Sequence, residues 1–180
     1  MHDLDRVGIG KYAMKRIPTL IVLACVCLGL LFWAMSGLRK DVIPLPNDVT
    51  QVLSNASELE LLSLDPNSYP LKLNDSTRFQ GWRILGRLTL TSSADRKRVG
   101  EAVVRAVAEG GTPTACFDPR HAIHVVQGSQ AQSLIICFHC DQIQVYPGKP
   151  QAHFLPISKS ARPVLDDLLK RAGIPIAPER

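Results

Sequence analysis

From Ile17 to Leu38 the chain runs 22 residues without a single charged side chain. As a helix rising about 1.5 Å per residue, that run spans about 33 Å, against about 30 Å of bilayer hydrocarbon. Eleven of its residues are Val, Ile, Leu or Phe, and Trp33 falls near one end, where an amphipathic ring favours the membrane interface. A buried core helix of this length would carry a polar stripe, and this run has none. The feature predicts one transmembrane helix over 17–38. Ala34-Met35-Ser36 has the small-x-small pattern of a signal cleavage site, but the apolar stretch ahead of it exceeds the roughly 7–15 residues of a signal peptide core. Val22-Leu23-Ala24-Cys25 loosely matches a lipoprotein cleavage box, yet most of the apolar run follows Cys25. An uncleaved anchor is the expectation.

Charge orients the anchor. Arg6, Lys11, Lys15 and Arg16 precede it, Arg39 and Lys40 follow it, and no basic residue recurs before Lys72. The positive-inside rule sets residues 1–16 in the cytoplasm and the C-terminal part outside it. These six are among 21 Lys and Arg, while Asp3 and Asp5 are two of 16 acids, so residues 41–180 carry a net charge of only +1. A nucleic-acid surface needs clustered, uncompensated Lys and Arg, so no nucleic-acid partner is expected. The expected localisation is the cell membrane, single-pass, with a protein partner left open and unidentified.

Beyond the anchor, Pro44 and Pro46 stiffen a linker over 39–46, and a domain over 47–180 follows. Asn47 is placed to cap a short helix over Asp48–Asn55, and Glu58–Leu64 reads as a strand ended by Asp65-Pro66-Asn67. Trp82, Ile84, Leu88 and Leu90 share one parity, the mark of a half-buried strand, with Gly86 a point for a bulge or close packing. Ser92 and Asp95 suit a capping box, and Val99, Ala102, Val103, Ala106 and Val107 make a helical apolar stripe that stops at Gly110-Gly111. His121–Gln127, a turn at Gly128-Ser129-Gln130 and Ala131–Cys140 predict a hairpin. Continuing its second strand to Tyr146 would make it far too long, so a bulge or corner is expected near His139–Asp141, and Pro147-Gly148 closes the sheet. Ser160 as cap, Pro163 in the first turn and Gly173 beyond the end frame a last helix. The expected fold class is α+β: a mostly antiparallel sheet with two packing helices, preceded by the transmembrane helix.

The segments carrying chemistry are Ala115-Cys116-Phe117-Asp118-Pro119-Arg120-His121-Ala122-Ile123 and Ile136-Cys137-Phe138-His139-Cys140. Together with Phe79-x-Gly81-Trp82-x-Ile84-Leu85-Gly86, they resemble a family of uncharacterised bacterial exported or membrane-anchored proteins. Its pattern runs FxGWxILG, then CFxPRHxI, then ICFxC, often followed by a helix ending in AG[VI]P; here the last part is Ala172-Gly173-Ile174-Pro175. The resemblance covers roughly Phe79 to Pro178 and implies boundaries and a set of cysteines, but no activity.

Register decides which cysteines meet. A three-residue turn sets Cys137 opposite His121 and Cys140 opposite Asp118; a two-residue turn moves Cys116 onto the face shared with Cys137. The first expectation is a disulfide from Cys116 to Cys137 or Cys140, since export permits oxidation. The second is a zinc site built from Cys116, His121, Cys137 and Cys140, whose ligand types and number suit that metal, although Cys-Phe-His-Cys lacks the Gly or Pro of a zinc knuckle. The third is thiol redox chemistry, which would want a helix N-terminus behind the Cys-x-x-Cys where this chain has a strand end. The sequence has no Gly-x-Ser-x-Gly, phosphate loop or His-Glu-x-x-His, so the expected role is binding or scaffolding and not catalysis, with no cofactor other than that zinc.

Overall fold

The structure, a computed structural model, describes residues 44–68, 76–146 and 153–179. The expected membrane helix, the N-terminus before it, most of the linker and Pro147-Gly148 lie outside the described residues. The chain divides between Asp41 and Val42 into two units, and the described residues belong to the second. Among the described residues no helix is long and apolar enough to cross a membrane.

This second unit is α+β. In chain order it contains α1 (Asn47–Ser54), β1 (Glu58–Asp65), β2 (Arg78–Phe79), β3 (Trp82–Thr89) and α2 (Ser93–Glu109). There follow β4 (His121–Gln127), β5 (Gln130–Cys137), β6 (Gln142–Tyr146), β7 (His153–Pro156), a single 3₁₀ turn (Lys159–Ala161) and α3 (Arg162–Arg171). Seven strands form one sheet in the order β2-β3-β1-β4-β5-β6-β7, every neighbouring pair antiparallel.

Among the described residues three helices cover one face: the two expected to pack on the sheet and the short helix expected over Asp48–Asn55, which packs there as well. The short α1 buries Val49, Val52 and Leu53, and Gly100 lets α2 approach it: a Cβ there would sit 2.7 Å from the Leu53 carbonyl oxygen. α1 starts behind Pro46 with no side-chain cap, so Asn47 lies inside the helix and does not cap it. α2 follows its expected stripe, with Val99, Ala102, Val103, Ala106 and Val107 all buried and the Asp95 N–H donating to Ser92 Oγ at 3.3 Å. Gly110, at φ +67°, ends it in a conformation that side chains disfavour. The last helix begins later than Ser160, because a 3₁₀ turn capped by Ser158 occupies that position and α3 starts at Arg162, with Pro163 in its first turn. Leu165, Leu168 and Leu169 face the core.

β3 does not keep one parity. Ser63 pairs with Gly86 but Leu64 pairs with Ile84, so one extra residue on β3 forms a bulge. Leu88 and Leu90 therefore pack with the helices while Trp82 and Ile84 turn to the opposite face, beside Leu62, Leu64, Ala122 and Ile135. The corner expected near His139–Asp141 is present: residues 138–141 form a turn between β5 and β6, with Asp141 at φ +51°. β7, unforeseen, adds the seventh strand, pairing Leu155 with Ile143.

Candidate functional site

β4 and β5 pair from Gln127–Gln130 to His121–Ile136, so the hairpin turn is the two-residue Gly128-Ser129, with Gly128 at φ +58°. Alternation then puts His121, Ile123 and Val125 on the helical side together with Leu134 and Ile136, and it points Cys137 to the other side. Cys137 ends β5 opposite Gln142, and the 138–141 turn brings Cys140 back to it. The two are joined by a disulfide across a Cα separation of 5.3 Å.

The chain between α2 and β4 crosses this turn. The Thr114 N–H donates to the Cys140 carbonyl at 3.1 Å, Gln142 Nε2 donates to the Thr114 carbonyl, and the Asp118 N–H donates to Cys140 Sγ at 3.4 Å. Those bonds seat Cys116 Sγ 3.2 Å from Cys140 Sγ and 3.2 Å from Thr114 Oγ1. Cys116 is a free thiol and half-buried, whereas Cys137 and Cys140 are 1% and 0% exposed.

The expected bridge from Cys116 to Cys137 or Cys140 is thus corrected: the bond joins Cys137 to Cys140. Both sit on one tight turn that holds them together locally, while Cys116 arrives on a separate segment. The zinc set does not assemble either. Two of its thiols are in the disulfide, and His121 occupies the opposite side of the sheet, its Nε2 2.8 Å from Asp166 Oδ1 on α3. Among the described residues no group of three or more His, Cys, Asp or Glu is placed to hold a metal ion.

The neighbouring motif residues bind the chain's own C-terminus. His121 is 2% exposed, with its ring edge-on to Phe138 at 5.4 Å. Burial raises the pKa of its partner Asp166, but the hydrogen bond and charge of His121, with Arg162 and Lys170 nearby, outweigh that and hold it below the ordinary 3.8. Arg120 is also buried: its Nε donates to the Ala177 and Pro178 carbonyls, Nη2 to Pro178 and Nη1 to Asp118. Ser63 Oγ donates to the Pro175 carbonyl at 2.6 Å, and Ile174 fills the space left by Gly86, whose Cβ would lie 2.6 Å from Ile174 Cγ2. Gly86 against Ile174, Ser63 on Pro175 and Arg120 on Ala177 and Pro178 therefore lock the segment after α3 onto the sheet, while His121 holds α3 itself through Asp166.

On the sheet face away from the helices stands an aromatic ladder. Trp82 is tilted against Phe117 at 6.2 Å, and Phe117 meets Phe154 edge-on at 6.3 Å. Phe154, on the unforeseen β7, is 59% exposed, and among the described residues it is the exposed large apolar side chain. Sequence reasoning missed Thr114, Gln142 and Asp166 as supports of these sites because each acts across distant segments, with no local pattern to mark it.

Fold and cluster together define an α+β domain with one antiparallel sheet, helices on one face and a three-sulfur group at the end of the β5–β6 hairpin. No family model and no curated protein sequence matches the chain. Among solved structures, it is similar to "Crystal Structure of Putative Lipoprotein from Clostridium perfringens", with a TM-score of 0.44 and 16% sequence identity, over 69% of this chain and 92% of that one.

Proposed function

We propose that the protein is a single-pass membrane protein with its N-terminus in the cytoplasm, whose domain over 47–180 works outside the cytoplasm as a binding or scaffolding module. The observation that carries this reading is the Cys137–Cys140 disulfide lying C-terminal to the uncharged run Ile17–Leu38. Structural disulfides persist in oxidising compartments, and the run supplies both the route there and the anchor. The motif resemblance to bacterial exported proteins supports the same location.

Binding is favoured over turnover by where the polar groups are used. Arg120, His121 and Asp166 hold the C-terminal segment and α3, and Phe154 presents an aromatic ring to solvent on a rigid ladder. Exposed, well-supported aromatic side chains are the usual anchors of protein contacts. A zinc-dependent role is not proposed. The location is tested by fusing a reporter that works only in the cytoplasm after Arg180: no signal is expected, and a strong signal overturns the orientation. The binding role is tested by placing a photo-cross-linking amino acid at Phe154 in the full chain in cells. One discrete protein adduct is expected, absent when the same amino acid replaces the exposed Lys97; no adduct at Phe154 overturns it.

A further inference from the structure

We propose that Cys116, Cys137 and Cys140 form a thiol–disulfide exchange site: the bond migrates from Cys137–Cys140 to Cys116–Cys140, and Cys116 then passes oxidising equivalents to a dithiol on a partner protein. Exchange proceeds by attack of a thiolate on a disulfide sulfur, so it requires a third sulfur within reach of one member of a pair. Cys116 Sγ lies 3.2 Å from Cys140 Sγ, already in contact with the atom it must attack.

The surroundings suit each sulfur's part. The Cys140 N–H donates to Cys137 Sγ at 3.2 Å, so the leaving sulfur has a donor to stabilise its negative charge. The Asp118 N–H does the same for Cys140 Sγ at 3.4 Å. Backbone donors, one on the tight turn and one on the segment crossing it, thereby supply what a helix N-terminus supplies in other Cys-x-x-Cys sites. Accessibility separates the roles. The disulfide, at 1% and 0% exposure, is closed to an external thiol, whereas half-buried Cys116 reaches the surface.

The steps balance. Cys116 loses its proton to solvent and its thiolate attacks Cys140 Sγ; the Cys116–Cys140 bond forms, the Cys137–Cys140 bond breaks, and the electron pair leaves on Cys137, which takes up a proton. A partner thiolate then attacks Cys116 Sγ and releases Cys140 as thiolate. The partner's second thiolate attacks its own bonded sulfur and releases Cys116. The partner dithiol is oxidised to a disulfide, and the domain's disulfide is reduced to two thiols.

The test uses the full chain in detergent, quenched in acid to freeze exchange and unfolded before alkylation with N-ethylmaleimide, then mapped without reduction, with Cys25 and Cys27 followed on their own peptide. In the unmodified sequence Cys137 should be alkylated as well as Cys116, because the bond spends part of its time on Cys116–Cys140; alkylation of Cys116 without Cys137 overturns the proposal. Cys137→Ser should contain a Cys116–Cys140 disulfide, and two free thiols there overturn it as well. With dithiothreitol as the dithiol, Cys116→Ser should be reduced about tenfold more slowly than the unmodified chain, since the buried pair loses its accessible relay. An unchanged rate overturns the relay.

Discussion

The buried guanidinium of Arg120 donates to three carbonyls, those of Asp118, Ala177 and Pro178, two of them in the C-terminal segment. Arg120→Met keeps much of the volume and leaves those carbonyls short of a donor. That should cost about 1–3 kcal/mol, read as a lower melting temperature and as faster hydrogen exchange at Ile174. Arg120→Lys should recover only part of it, because one ammonium cannot reproduce the planar fork. Asp166 gives a pH signature. Its folded pKa lies below the ordinary 3.8, so its ionised form adds stability above about pH 4, and this is lost as pH falls through the folded value. Asp166→Asn should flatten the acid limb of urea stability below about pH 4; an acid limb as steep as before would remove Asp166 as its source. Arg120 and His121 were visible in the sequence as a motif, but their partners were not. Ala177, Pro178 and Asp166 stand 45 to 58 positions away, and no local spacing links them.

Between elements, β3 fits closely against the segment after α3. Gly86→Val would drive a side chain into Ile174 and should cost about 1–3 kcal/mol by overpacking. Gly86→Ala combined with Ile174→Ala should be less destabilised than the two single changes added together, by at least about 0.5 kcal/mol in urea unfolding. Strict additivity would show that the two do not share that space. α3 gives a plainer case: Leu165 is fully buried, so Leu165→Ala should cost about 2–5 kcal/mol. The helices were legible because their signal is periodic and local, as the stripe Val99 to Val107 shows. The bulge expected around Gly86 falls beside it at Leu85, and because it adds one residue to one strand only, the later side chains change face and the single parity read over Trp82–Leu90 does not hold. β7 was missed because four residues with Pro156 at the end carry too little alternation to announce a strand.

For the whole molecule, the full chain should remain in the membrane pellet after alkaline carbonate extraction, and a chain lacking residues 1–38 should not. Recovery of the full chain in the supernatant would overturn the anchored reading. The expectation of an anchor over residues 17–38 can be read from sequence because a bilayer constrains length and polarity alone, and both are written along the chain. The α+β class was readable for the same reason, since periods of 2 and 3.6 residues reveal which faces are apolar. Which sulfurs bond could not be read in the same way. A shift of a single residue in the β4–β5 turn exchanges the faces of Cys137 and its neighbours, and only the packed sheet selects Gly128-Ser129. The same packing lays the 110–120 segment across the β5–β6 turn, where Cys116 meets Cys140 through contacts 22 to 28 positions apart. Side-chain periodicity is a property of neighbours in sequence. The sulfur cluster and the C-terminal lock depend on distances between segments, which exist only once the sheet has closed on its helices.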